Sequence, residues 1–384
     1  MQRTAAIVGA GLTEVGKVYG RTARSFAAEA VRLAVSDAGL TLGDVDGLLI
    51  NAGKAGDLDL TLARSLGLRD LRMLSEVNAF GASAGIMVAQ AATAVLSGAA
   101  EVVVCVFADT PLRPGGSSGA AYRQSSLQAN GFRGAETAAG FTSVNHRYAL
   151  AASRYLHHYG VPQDHLGAVA VSQRAWAVDN PVARMRTPLT LDDYHRSRWI
   201  VEPLHLLDCC LVSNGAAAVV VTTPERAADL AAPPVRVLGW GQAHPGYVLE
   251  RGSDFGLVTG AASSGPAALK MAGLTVSDID LLEIYDCYTY TVLVTLEDYG
   301  FCGRGEAGEL AASGALAPGG TLPANTGGGQ LSSFYLWGMT PLIEAVTQLR
   351  GQAGARQVSR HGTAIVSGNG GILDHHATLV LGSA

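Results

Sequence analysis

The chain has 384 residues, 48% of them hydrophobic and 15% charged, with a formal net charge of −5. That length can bury a large core, and so low a charged fraction suits a layered α/β protein. The acidic balance, with no run of Lys and Arg interleaved with aromatics, argues against a nucleic-acid surface. No uninterrupted apolar stretch reaches about 18 residues, which argues against a membrane span.

Five cysteines, Cys105, Cys209, Cys210, Cys287 and Cys302, stand at no zinc-like spacing. Reduced thiols, no bound metal and a cytoplasmic location are the expectation. The opening MQRTAAIVGAGLTEVG has no basic segment followed by a long apolar one, so no signal peptide is expected.

In chain order, Ala5–Val8 predicts a strand, 24–38 a helix, 45–50 a strand, 83–97 a helix and Glu101–Phe107 a strand. Residues 110–200 are polar and irregular in spacing, and read as a loop domain draped over the core. Asn214–Val221, NGAAAVVV, returns into the sheet of the first half. The Pro-rich AAPPVRV around Pro233 marks the expected boundary between residues 1–232 and 233–384. The second half opens with VRVLGWG and closes with ATLVLG, Ala377–Gly382.

An internal repeat carries the architecture. Ala38–Ile50 reads AGLTLGDVDGLLI and Ala272–Ile284 reads AGLTVSDIDLLEI, with eight of thirteen positions identical. Each copy follows an Ala-rich apolar segment, which predicts helix, C-cap glycine, short loop and buried strand twice over. Two copies about 230 residues apart imply two similar α/β halves rather than a short-period solenoid.

Two short motifs invite a functional reading and do not support it. Gly9-Ala10-Gly11 follows the first strand, but a dinucleotide fingerprint needs a third glycine where Glu14 stands. Gly81-Ala82-Ser83-Ala84-Gly85 matches G-x-S-x-G, yet the preceding Leu74-Ser75-Glu76-Val77-Asn78 is only partly apolar. A nucleophile elbow needs a strongly apolar strand there.

Four blocks, in order, resemble the thiolase superfamily. They are VNAFGASAGIMVAQAATAVLSGAAEVVVCVFAD from Val77, EIYDCYTYTVLVTLEDYGFC from Glu283, NTGGGQLSSFYLWGMTPLIEAVTQLR from Asn325, and SGNGGILDHHATLVLG from Ser367. The resemblance implies a five-layer αβαβα fold with two βαβαβαββ halves, a homodimer, and often a small partner protein with an OB-fold and zinc ribbon. It departs from the family at the reacting groups. Gly81 stands where the nucleophilic Cys belongs, Tyr335 where the catalytic His belongs, Ser367 for the last-loop Cys, and Tyr285 for the oxyanion-hole Asn or His.

Gly81 cannot carry an acyl group, and a serine is a poor acid/base at neutral pH, so ordinary thiolysis is not expected. The glycine instead leaves room for a bulky substrate. Loss of Cys and His with tyrosines gained resembles the thiolase-like lipid-transfer-protein aldolases of steroid side-chain degradation. These cleave a β-hydroxyacyl-CoA by retro-aldol reaction and need no cofactor beyond the CoA thioester substrate. Tyr285 and Tyr335 are then the catalytic candidates, for a phenol of pKa about 10 donates to an oxyanion or, when tuned, shuttles a proton.

Gly81, Asn325, Ser367, Gly370 and His376 are the candidates for binding the substrate or its oxyanion. Competing readings stay open at each. The tyrosines could be packed phenols, His376 a structural histidine, and Asn325 a loop cap. The glycine clusters suggest close backbone approach, by which N–H groups could hold an oxyanion. At the level of function, the alternatives are a non-catalytic scaffold that binds lipid or acyl-CoA, and a C-acyltransferase working without a covalent Cys.

Overall fold

The computed structural model describes residues 4–122, 131–230, 232–246 and 252–384. Residues 1–3 of the opening stretch, and 123–130 within the expected loop domain, lie outside the described residues. Eleven strands are described: β1 Ala6–Leu12, β2 Gly47–Ala52, β3 Met73–Glu76, β4 Val102–Asp109, β5 Trp199–Val201, β6 Leu204–His205, β7 Gly215–Thr222, β8 Val235–Ala243, β9 Leu281–Glu283, β10 Thr363–Gly370 and β11 His375–Gly382.

Nine of them form one mixed sheet in the order β3-β2-β4-β7-β1-β8-β11-β10-β9. The two ends are built alike. In the first half β2 pairs parallel with β3 and β4, β4 antiparallel with β7, and β7 antiparallel with β1. In the second, β9 pairs parallel with β10 and, at Leu282 and Ala324, with a single bridge where β3 has its counterpart. There β10 pairs antiparallel with β11, and β11 antiparallel with β8. The halves meet where Ala6 faces Arg236 and Ile7 faces Val235.

Helix placement turns this sheet into layers. Helix Ala23–Asp37 packs on one face of the first half and helix Ala261–Ala272 on the corresponding outer face of the second. Between the halves lie helices Ser83–Ser97 and Met339–Leu349, each touching strands of both. The sequence is therefore α, β, α, β, α across the molecule. Strands β4 and β7 are covered on both sides and buried at every position, and so read as unbroken runs of Val and Ala rather than alternating ones.

The repeat sits where the two outer helices turn into β2 and β9. Each copy closes a 3-10 turn with the same box: Thr41 Oγ1 donates to Asp44 at 2.7 Å, and Thr275 Oγ1 donates to Asp278 at 2.7 Å. The Gly-Ala-Gly of β1 also has a twin. Gly9 and Gly11 lie against the backbone of Ala34 and Ala30, while Gly239 and Gly241 of β8 lie against Ala268 and Ser264. A β-carbon at any of them would enter the helix backbone, so the motif is a helix-packing device rather than a nucleotide loop.

One expectation changes. Residues 110–200 are not irregular: they contain helices Val144–Tyr159 and Gln163–Val178, whose buried Tyr148, Ala152 and Tyr155 follow the i, i+4, i+7 spacing. The window Phe80–Ser97 is long and apolar enough to cross a membrane, but 67% of it is buried, because it is the central helix of the core.

Candidate active site

The first site turn follows β3. Val77–Ala79 lead into a single 3-10 turn, Phe80–Ala82, at the start of the central helix Ser83–Ser97. The Ser83 hydroxyl accepts from Ala79 N at 2.8 Å and is wholly buried. It caps the turn and is not a nucleophile, which disposes of the G-x-S-x-G reading.

The second turn is its structural twin. Leu336–Gly338 precede helix Met339–Leu349, and Thr340 Oγ1 accepts from Leu336 N at 2.9 Å. Phe80 and Trp337 occupy matching places, both with left-handed backbone (φ 52° and 49°), and their rings meet at 5.8 Å.

Tyr285 comes from the loop that leaves β9. Three contacts fix that loop. Asn325 Oδ1 accepts from Ile284 N at 2.7 Å, Ser367 Oγ accepts from Tyr285 N at 2.8 Å, and the Asp286 carboxylate accepts from Gln330 N and Leu331 N at 2.8–3.1 Å. Asp286 thereby ties the loop to the π-helical turn Gly329–Ser333 that leads into Tyr335. Burial pushes its carboxyl up to about 7. Tyr335 N donates to Ser213 Oγ at 3.2 Å.

These constraints bring the two phenols together, with Tyr285 Oη and Tyr335 Oη 3.0 Å apart. Tyr285 is 3% exposed and Tyr335 half-buried. Burial holds both hydroxyls well above the ordinary phenol range, so each is an O–H donor at neutral pH. A third phenol, Tyr122, meets Tyr335 edge-on at 6.0 Å and accepts from Trp337 Nε1 at 3.3 Å.

The other candidates take different places. Gly81 does not leave room for substrate: a β-carbon there would fall inside the Tyr285 ring and against the Asn369 carbonyl. Gly81 and Tyr285 are matched in packing, because the ring fills the space that a side chain at position 81 would need. A β-carbon at Gly370 would fall 2.9 Å from Phe80 Cβ and collide with the Ala79 carbonyl, and one at Gly368 would fall 2.6 Å from the Gly81 carbonyl. Both glycines let the first turn lie on β10, so the close approach is by protein rather than by a ligand. Asn325 and Ser367 bond the tyrosine loop and position it.

His376 does not join the tyrosines. Its Nδ1 lies 2.8 Å from Ser264 Oγ on the outer helix, whereas its neighbour Ala377 faces Gly85 of the central helix. Burial lowers it to about 3, so the ring is neutral throughout the physiological range.

Nothing in the site supplies a thiolate. Burial raises all five cysteines, Cys287 and Cys302 to about 12. Among the described residues, no group of three or more His, Cys, Asp or Glu is placed to hold a metal ion. A cavity of about 510 Å³ beside β1 and the end of helix Met339–Leu349 is lined by Glu283, Glu344, Arg350 and Arg356, but by neither tyrosine. Phe80, Tyr122, Ser213, Asp286 and Trp337 are site residues that motif spacing did not flag. Only Asp286 and Trp337 carried a signal, each one or two residues from a tyrosine candidate.

Comparisons with known proteins bear on the family and the fold. Residues 5–225 match the thiolase N-terminal domain and 241–383 the thiolase C-terminal domain-like family. The chain is 41% identical over 361 residues to a steroid side-chain-cleaving aldolase of Thermomonospora curvata, covering 90% of each. It is 38% identical over 362 residues to a 17-hydroxy-3-oxo-4-pregnene-20-carboxyl-CoA lyase of Mycobacterium tuberculosis, covering 90% of this chain and 92% of that protein. An acetyl-CoA acetyltransferase of Methanothermobacter thermautotrophicus is 30% identical, with 93% of each covered. Among solved structures, an Ltp2-ChsH2(DUF35) aldolase superposes with a TM-score of 0.88 at 38% identity, over 99% of this chain and 98% of that one. Doubled halves, paired central helices and matching domains at both ends leave one placement: the chain belongs to the thiolase superfamily.

Proposed function

We propose that the chain is an acyl-CoA aldolase, cleaving a β-hydroxyacyl-CoA by retro-aldol reaction into a ketone and a shorter acyl-CoA. The observation that carries this is the hydroxyl pair of Tyr285 and Tyr335 at 3.0 Å, in a site whose nucleophile position is Gly81. Thiolysis needs a thiolate, and the site has none. Retro-aldol cleavage needs only a base and an oxyanion donor, which two phenols can supply.

In the proposed step, one tyrosine accepts the β-hydroxyl proton and passes its own phenolic proton across the 3.0 Å hydrogen bond to the other, as the bond between the α- and β-carbons breaks. The oxygen electrons become the ketone carbonyl, and the broken bond's pair becomes the thioester enolate. The other tyrosine gives its own proton to the enolate oxygen as it receives its neighbour's, so both phenols are neutral before and after the step. Return of a proton to the α-carbon gives the shorter acyl-CoA. The relay needs neither phenol to ionise, which agrees with the burial that holds both hydroxyls well above the ordinary phenol range.

The acyl group is proposed to be steroid-derived, as in the names of both lyase relatives. A homodimer through the exposed edge strand β3, with Leu74 38% exposed, is part of the proposal. So is a partner of the DUF35 kind, since the superposed aldolase is a complex with one. We assign that partner an OB-fold and zinc ribbon, and the chain a cytoplasmic location.

The test is mass spectrometry of products from tertiary β-hydroxyacyl-CoA esters, with the full chain and its partner. A ketone and propionyl- or acetyl-CoA formed without free CoA supports the aldolase. Cleavage only on adding CoA overturns it. No product from esters that do bind favours a scaffold.

A further inference from the structure

Phe80 is expensive where it stands. Its ring is 44% exposed, and its backbone lies at φ 52°, a region that favours glycine. Its twin Trp337, at φ 49°, is 3% exposed, packs on Phe107 at 5.2 Å and donates Nε1–H to Tyr122. Burial and a side-chain hydrogen bond offset the strain at Trp337; at Phe80 the backbone N–H donates to Asn78 Oδ1 at 3.2 Å, a bond that glycine would keep while relieving the strain and removing exposed apolar surface. Strain that the fold itself does not need points to a ligand.

The surroundings name that ligand's chemistry. Phe80 precedes Gly81, which touches the Tyr285 ring, and its own ring meets Trp337, two residues beyond Tyr335. On its other side the His375 ring lies nearly parallel to it (10°) at 6.5 Å. Around this ring the groups are flat and aromatic, with the phenol pair one residue away. We propose that Phe80 is the acyl-binding face of the tyrosine site, stacking a flat, apolar ring system attached at the β-carbon of the ester. This rests on the aldolase reading, and it assigns the discrimination between cyclic and acyclic acyl groups to one residue.

The experiment compares wild type with Phe80→Gly, as the full chain with its partner, on two esters. One is 17-hydroxy-3-oxo-4-pregnene-20-carboxyl-CoA. The other is 3-hydroxy-2,3-dimethylbutyryl-CoA, which keeps the tertiary alcohol and α-methyl group without a ring. In the variant, the ratio of kcat/KM for the ring ester to that for the acyclic one should fall about tenfold or more, carried by KM, as loss of an aromatic contact predicts. The melting temperature should hold or rise, since glycine suits the left-handed backbone. An unchanged ratio overturns the proposal and leaves the aldolase standing. A fall in melting temperature of several degrees places Phe80 in the fold instead. Altered sedimentation places it in contact with a second copy. If wild type cleaves neither ester, the aldolase reading fails and this proposal fails with it.

Discussion

The turns before the two central helices have the same construction and opposite uses. Each runs aromatic, glycine, one residue, then a hydroxyl that accepts from an N–H four residues back: Phe80 to Ser83, and Trp337 to Thr340. In the second half the turn is packed inward, and Tyr335 just before it joins the phenol pair. In the first, Gly81 contributes only an absence of side chain, into which Tyr285 of the other half reaches. A duplicated fold can thus keep its geometry while both phenols of the candidate site come from one half.

Removing the hydroxyls breaks this comparison most directly. Tyr285→Phe and Tyr335→Phe should each lower kcat by about 10²–10⁴, the usual scale for proton transfer by a positioned side chain. Acyl-CoA affinity and melting temperature should change little; equal losses of folding would mean that the phenols are packing groups. The buried member of the aromatic pair comes next. Trp337→Ala should destabilise by about 3–5 kcal/mol in urea titrations, as large-to-small changes in cores do. The glycines give an intermediate effect. Gly81→Ala should cost about 1–3 kcal/mol by overpacking against the Tyr285 ring. Gly81→Cys should lose aldol cleavage without gaining thiolysis, read by product analysis with and without CoA.

Ser367→Ala sharpens the account of loop positioning. It leaves Tyr285 N buried without an acceptor, at about 1–3 kcal/mol, and should lower kcat more than binding. The smallest effect concerns His376. Its folded pKa of about 3 lies below the unfolded 6.5, so its contribution to stability is present above pH 6.5. That contribution is lost as the pH falls from 6.5 toward 3, because only the unfolded chain takes up the proton. His376→Gln should therefore lose less melting temperature than wild type between about pH 7 and pH 5. It should cleave substrate normally, because the ring faces Ser264 and not the tyrosines.

Much of the fold was legible because the repeat Ala38–Ile50 and Ala272–Ile284 is a whole helix-turn-strand unit, and buried strands such as Val102–Asp109 announce themselves by unbroken valines. The helices within 110–200 were missed although Tyr148, Ala152 and Tyr155 keep helical spacing, since abundant polar residues on their outer faces masked it. At the site, the two tyrosines could be named from their places in the blocks. What fills the gap at Gly81 could not, because spacing along the chain does not say which distant ring enters a space. Successive strand residues such as His375 and His376 face opposite ways, but both faces of β11 are covered, so an inward histidine need not reach the tyrosines. Phe80 gave no signal at all: left-handed backbone in a non-glycine residue is set by its tertiary surroundings.

The junction of β1 with β8 has a kinetic meaning. Ala6 and Ile7 pair with Arg236 and Val235, and both central helices pack on strands of each half. Opening the halves like a clamshell would break sheet hydrogen bonds and core contacts together. The halves therefore act as one rigid body, and substrate and ketone must pass by movement of side chains and surface loops, on nanosecond-to-microsecond timescales. Turnover in such a body is governed by chemistry or by the departure of a bulky product, and not by a domain-closing step.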